Sequence, residues 1–395
     1  MTEQQAGLAD DILENGVAMT VPPGFSIDRR ERHTDEYFLN MGPQHPSTHG
    51  VLRLMLRMDG ENVLEVVPHL GYIHRGLEKI GENQTYLQNI HLTDRLDYLS
   101  SHMNNLALCL AIEKAMGIGV PERAEYIRVM VCELQRIQSH LLWWGVLGMD
   151  LGAITSFLYG FKEREMITDI FEEMCGARLT MNFFRPGGSF ADVPDTFIPR
   201  VRAVIEKMKT AIDEYDTLLT NNVIMHLRTK GIGVLPAKTA LAHGCSGPVL
   251  RGSGVALDVR RSDPYSIYHR FSFDIPVGTV GDCFDRYKVR MEEMRQSLRI
   301  LEAAAASFPG GPYRSKKYAS YNLPAGSYYS QVETARGLLG VYIEADGGPK
   351  PHRIKYRSPS FANLSALNDL AVGHKLADLV PIIATLDVLI PDIDR

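Results

Sequence analysis

The sequence predicts an α+β fold, a central bundle of long helices with small antiparallel β-sheets at the margins. Two observations predict it. Residues 83–116, 121–147, 151–176, 197–221 and 285–307 carry apolar side chains at three- and four-residue spacing, as in Ile127, Val131, Leu134 and Leu141, which is the period of an amphipathic helix. Stretches within 37–70 and 328–360 instead alternate around turn residues, the period of a half-buried strand.

Taken in order, residues 1–36 are polar and aperiodic, an extended arm that orders only against a partner. An N-terminal β region follows over 37–70, where Val51 to Met58 and Val63 to Val67 flank Asp59-Gly60-Glu61-Asn62, a hairpin signal. The helical bundle covers 83–221; Pro121 suits a first helical turn, and Gly117 and Gly176 suit helix stops. Residues 222–283 break into short segments punctuated by Gly, Pro and Ser, a β/loop region. A helix over 285–307 leads into a C-terminal region, 308–395, whose "VYIEADGGPKPHRIKYR" is a second hairpin candidate. With no internal repeat and no pooled linker, 37–395 reads as a single domain.

Composition excludes several function classes. The 395 residues are 45% hydrophobic and 23% charged, an ordinary globular balance with length for a large core. The net charge of −5 is spread through interleaved acids and bases, which offers no footprint for nucleic acid. The start "MTEQQAGLADDILENG" is acidic and unlike a secretory signal, and no apolar run approaches a bilayer span. Cys109, Cys132, Cys175, Cys245 and Cys283 form no CxxC pair, so neither a disulfide framework nor a zinc or iron–sulfur ligand set is present. "GIGVLP" and "GSGVAL" lack the third glycine of a dinucleotide fingerprint, no Walker-type loop occurs, and "GFS" lacks the frame of a nucleophile elbow.

Three clusters can carry chemistry. In "MGPQHPSTHGVLRL", His45 and His49 lie in a turn-rich loop, where Pro46 disfavours the helix that a His-x3-His metal pair needs. Besides metal ligation, the alternatives are an imidazole that hydrogen-bonds the loop to itself and an exposed imidazole that gives protons to a substrate. In "TDRLDYLSSH", Arg95, Tyr98 and His102 fall on one face of the predicted helix, either a solvated, salt-bridged face or a functional stripe. Asp150 stands among Trp143, Trp144, Leu147, Leu151, Ile154 and Phe157, either as a helix N-cap before Leu151 or as a carboxylate that orients an imidazole and favours its protonated form.

Together, "GPQHPSTHGVLRL", "PHLGYIHRGLEK", "TYLQNIHLTDRLDYL", "RAEYIRVMVCELQRIQSHLLWWG", "DLGAITSF", "FKERE", "FRPGG" and "KLADLVPIIATLD" resemble the D-type subunit of proton-pumping NADH:quinone oxidoreductase, respiratory complex I, from about Tyr37 to Arg395. The resemblance implies a fold like the large subunit of nickel–iron hydrogenases, without the two CxxC pairs that hold their metal. It implies a peripheral subunit at the cytoplasmic face of the bacterial inner membrane, with subunits B, C, I and the membrane-embedded H as partners. It also implies a quinone pocket shared with the B-type subunit, and coupling of electron transfer to proton translocation. His49 and Tyr98 then correspond to donors to the quinone carbonyl, Asp150 to the partner of His49, and Arg75 and Arg95 to arginines near the terminal 4Fe-4S cluster of the B-type subunit. This chain itself would bind no cofactor; quinone is a substrate, and FMN and NADH bind elsewhere in the complex.

Three departures from the family pattern stand out. Thr180 occupies the place of a histidine tied to the pH-dependent potential of the terminal cluster, Leu338 stands for a glutamate, and the short leader has no fused C-type domain. They admit a paralogous complex with a different electron donor. A scaffold that no longer reduces quinone is a further alternative, opposed by the intact His49, Tyr98 and Asp150. A metallohydrolase built on His45 and His49 is the remaining one.

Overall fold

A computed structural model of the chain describes residues 36–45, 50–315, 318 and 320–395. The predicted arm, apart from Glu36, and His49 lie outside these residues.

Strands β1 (Glu36–Met41), β2 (Arg53–Asp59) and β3 (Asn62–His69) form a sheet in that order. β2 and β3 pair antiparallel down to Asp59 opposite Asn62, across the positive φ of Gly60, as the hairpin signal predicts. Alternation along β2 buries Leu54, Leu56 and Met58 on one face.

The helices α1 (Leu77–Asn83), α2 (Tyr86–Thr93), α3 (Ser101–Met116), α4 (Glu122–Asp150) and α5 (Ile154–Cys175) follow. The single helix expected over 83–116 is thus two, with a turn over residues 94–100 between them. Asp97 causes the break locally: its carboxylate accepts the Leu99 amide at 3.0 Å and its carbonyl accepts the Ser100 amide at 3.0 Å. Gly117 and Gly176 close α3 and α5 in the left-handed region, as predicted. α4 and α5 form a hairpin packed backbone to backbone. A Cβ on Gly160 would lie 2.8 Å from the Leu141 carbonyl oxygen, and one on Gly145 would lie 3.1 Å from the Phe157 Cα.

Strands β4 (Phe184–Arg185) and β5 (Gly188–Ser189) make a minimal ladder before α6 (Phe197–Tyr215), which runs on into a π-helical turn, Asp216–Thr220. The expected β/loop character of 222–283 is corrected: it holds short helices, α7 (Val223–Thr229), α8 (Ala237–Ala242), α9 (Gly247–Gly252) and α10 (Val259–Ser262), and no strand. These helices are four to seven residues long, too short to display a period of 3.6. The long α11 (Cys283–Ala306) is capped by the Asp282 side chain. Strands β6 (Gly326–Glu333), β7 (Leu338–Ala345) and β8 (Pro351–Arg357) form an antiparallel sheet, which contains the second predicted hairpin. The chain ends in α12 (Pro359–Leu364), α13 (Leu367–Ala371), α14 (Leu376–Leu386) and α15 (Ile390–Asp394).

Burial follows the sequence pattern into two cores. One gathers α3 to α6, α11 and the inner face of the β6–β8 sheet, and the other joins the β2–β3 hairpin to α12–α15. Residues Phe38–Arg395 form one compact unit. Among the described residues no helix is long and apolar enough to cross a membrane.

Candidate functional site

The C-terminal segment from Asp387 to Arg395 organises the residues singled out in the sequence. Gly50, at the end of the His49 loop, lies against Ile390, and His45 bridges to Gly50 across the base of that loop. The Asp394 carboxylate accepts the amides of Gly71 at 2.9 Å and Ile73 at 3.0 Å, while its carbonyl meets His74 Nδ1 at 2.5 Å. The loop that carries Arg75 is therefore pinned to the penultimate residue. Arg75 in turn donates from Nη2 to the Arg95 carbonyl at 2.7 Å.

Arg95 and Tyr98 share the turn between α2 and α3 rather than one face of a helix. Arg95 is exposed, with Nη1 bonded to Asp94 at 2.7 Å and to the His91 carbonyl at 2.6 Å. Burial pushes the Asp94 carboxyl up to about 6 even though Arg95 opposes the shift. His91 and Arg75 are both lowered, first by burial and then by neighbouring arginine charge. Arg185 adds its charge to this cluster beside His91 and Asp94.

Tyr98 is half-buried, and burial raises its phenol above the ordinary value; Arg336 works against that shift while Asp97 and Asp387 add to it. Arg336 Nη1 contacts both Asp97 oxygens at 3.0 and 3.2 Å, and Nη2 contacts Asp387 at 3.1 Å. His102 leaves the predicted stripe entirely. It is fully buried in α3 with Phe171 and Phe184 ring centroids at 4.9 and 5.4 Å, and burial holds it down to about 3, so it remains neutral.

Asp150 is the last residue of α4 and partly exposed. The N-cap alternative is corrected, since α5 begins at Ile154 behind Ala153. Two turns earlier on α4, Trp143 Nε1 donates to the Ala384 carbonyl at 2.7 Å, which ties this helix to α14. Thr180 has a φ of +48°, and Leu338 opens β7 with its amide on Ser246 Oγ at 3.1 Å.

Arg336, Asp387, Asp394 and Arg185 are not among the site residues expected from the sequence, although "FRPGG" holds Arg185 and "KLADLVPIIATLD" ends on Asp387. A signal was present in "LDVLIPDIDR", where three carboxylates interrupt an apolar run and each needs a buried partner. A cavity of about 450 Å³, lined by Asp216, Val277, Lys288 and Arg295 among others, includes none of the predicted residues. The described residues contain no cluster of metal-ligating side chains.

The description "Respiratory-chain NADH dehydrogenase, 49 Kd subunit" belongs to the family model that matches residues 150–395. The chain is 48% identical to the D-type subunit of the NADH-quinone oxidoreductase of Desulforamulus reducens, over 91% of this chain and 99% of that protein. It is 50% identical to the D-type subunit of Dehalococcoides mccartyi, over 92% of this chain and 99% of that one. It is 48% identical to the C/D-type subunit of Bacteroides thetaiotaomicron, over 94% of this chain and 71% of that protein.

Proposed function

The chain belongs to the 49 kDa, or D-type, subunit family of the NADH-quinone oxidoreductases, and from that premise we propose that it forms, with the B-type subunit, the quinone-reduction site of a complex I. The observation that carries this reading is the C-terminal segment: it lies against Gly50, braces the loop of Arg75 and, through Asp387 and Arg336, the turn of Tyr98.

Reduction of a quinone to a quinol takes up two electrons and two protons. The terminal 4Fe-4S cluster of the B-type subunit supplies the electrons one at a time when that subunit is bound. Arg75 and Arg95, with Arg185 beside them, give this chain a cationic surface in which Asp94 is the nearby acid, and such a surface suits an anionic cluster across the interface. Tyr98 donates one proton to a carbonyl oxygen of the quinone; its raised phenol stays protonated at neutral pH until charge builds on that oxygen. His49 donates the second, and Asp150 favours its imidazolium beforehand. Phenolate and neutral imidazole remain, and rebalancing that charge is the step we assign to proton coupling.

In this reading subunits C, I and the membrane-embedded H complete the assembly, and the chain sits peripherally at the cytoplasmic face of the inner membrane. Its fold is that of the nickel–iron hydrogenase large subunit without the metal ligands. Tyr98→Phe in membranes tests the reading. Loss of the donor lowers NADH:quinone activity about ten- to hundredfold with NADH:ferricyanide activity intact. Full quinone reduction would leave a scaffold role, and absence of NADH-driven activity in the wild type would indicate another electron donor.

A further inference from the structure

We propose that Arg336 is a positioning residue for quinone reduction: its guanidinium, forked between Asp97 and Asp387, fixes the turn that presents Tyr98 and balances the charge left on the phenol oxygen after donation. The inference rests on the reading of Tyr98 as a donor.

The geometry is over-determined. Arg336 lies in the turn between β6 and β7, where its amide donates to Thr334 Oγ1 at 3.3 Å, and it is 1% exposed. One guanidinium nitrogen reaches both oxygens of Asp97 at 3.0 and 3.2 Å and Ser139 Oγ at 3.1 Å; the other reaches Asp387 at 3.1 Å. The same Asp97 carboxylate accepts the amide of Leu99, and the Asp97 carbonyl accepts from Asn104 Nδ2 at 3.0 Å. Tyr98 is therefore braced on both sides by one residue, which is itself held by one arginine. A lysine would carry the charge without the fork, and could not grip two carboxylates in fixed directions.

The charges around Tyr98 are matched. Asp97 and Asp387 act on it electrostatically, and they are met by Arg336 and by Arg290, whose Nε lies 3.7 Å from Asp387. Arg290 is fixed above the Trp143 ring at 4.6 Å and by the Thr385 carbonyl at 2.9 Å. Asp392, which also acts electrostatically with Asp97, is held by Ser358 Oγ at 2.5 Å and the Ser360 amide at 3.3 Å. Removing the Arg336 charge leaves two carboxylates opposed to a forming phenolate, so the phenol holds its proton more tightly. Removing the Asp387 charge does the reverse.

The experiment uses the intact complex in membranes, with NADH:ferricyanide activity as the assembly control and quinone kcat and KM measured against pH. We expect Arg336→Lys to lower kcat at least tenfold with KM within about twofold and the alkaline limb of the profile in place. Arg336→Gln lowers kcat further and moves that limb to higher pH, and Asp387→Asn moves it to lower pH. Wild-type kcat in both Arg336 variants overturns the proposal, as does equal loss in both with an unmoved limb. If Arg336→Gln fails to assemble, the Lys and Asp387→Asn variants decide by the same criteria. Tyr98→Phe measured alongside separates the two levels. Full activity there removes the donor reading itself, whereas an inactive Tyr98→Phe beside a wild-type Arg336 series removes only the clamp.

Discussion

Asp394, the penultimate residue, accepts the backbone amide of Gly71 at 2.9 Å and so closes a loop of more than three hundred residues onto the segment that carries Arg75. Its second carboxylate oxygen takes the Ile73 amide at 3.0 Å. Asparagine at this place would turn an N–H toward one of these amides, and a buried hydrogen bond to a charged group is worth about 1.5–3 kcal/mol. Asp394→Asn is therefore expected to reduce the thermal stability of quinone reductase activity in membranes. Retention of the wild-type inactivation temperature would show that the C-terminal segment does not brace the Arg75 loop.

The Glu133 carboxylate lies at the centre of a buried ion cluster, with Arg260 at 3.1 Å, Arg136 at 3.3 Å, and Ser297 and Tyr268 both at 2.7 Å. Burial opposes its ionisation, but Arg136, Arg260 and the two hydroxyls together hold it down to about 2. A depressed carboxyl contributes stability above its ordinary value near 4.5, and that stability is lost as pH falls toward 2. The contribution is on the order of 3 kcal/mol. Glu133→Gln leaves two buried guanidinium groups short of their counter-charge and is expected to destabilise by about 3–5 kcal/mol at neutral pH. Chemical denaturation followed from pH 7 to 3 checks both points: the wild type should lose stability below pH 5, and the variant should start lower and lose less.

Asp150 is positioned by the elbow between α4 and α5, and that elbow depends on glycines. A Cβ on Gly148 would overlap Ser156 Oγ, and one on Gly160 would lie 2.8 Å from the Leu141 carbonyl oxygen. Turning the serine side chain moves only its hydroxyl, and the Ser156 Cβ stays 2.8 Å from the same point, so either substitution requires the elbow to open. Gly148→Ala and Gly160→Ala are thus each expected to cost about 1–3 kcal/mol and to lower quinone reduction. Wild-type activity in both variants would show that helix separation here does not reach the end of α4.

How much was legible in the sequence depended on whether the signal was local. The hairpin at Asp59–Asn62 and the stops at Gly117 and Gly176 were readable because turn chemistry acts within a few residues. The break at residues 94–100 was missed because apolar spacing continues through it, while the hydrogen bonds of Asp97 that end the helix depend on one side chain. His102 was placed on a face with Arg95 and Tyr98 for the same reason, and its phenylalanine cage comes from α5 and the β4 segment. At the site, motifs pointed to Tyr98, Arg75 and Arg95. Arg336 and Asp387, distant in sequence from Asp97, become related only when the chain is folded.

The resemblance noted in the sequence implies an imidazole where this chain has Thr180; threonine cannot titrate, so the potential of the partner's terminal cluster is expected to vary little between pH 7 and 8. One acid in the arginine cluster still changes charge nearby, since burial pushes Asp94 up to about 6. Below that pH it is neutral and Arg95 is uncompensated, which favours the reduced, more negative cluster; above it the carboxylate offsets Arg95 and the potential falls. His91 is held below its ordinary value by burial and by Arg185 and Arg95, which favours its neutral form. Potentiometric titration of the cluster signal by electron paramagnetic resonance should therefore show a drop confined to the region of pH 6, absent in Asp94→Asn. Thr180→His should restore a slope through pH 6 to 8 without a backbone penalty, because histidine tolerates the φ of +48° better than a β-branched threonine. A full slope from pH 6 to 8 in the wild type would rule out the account, since neither Thr180 nor Asp94 can supply one.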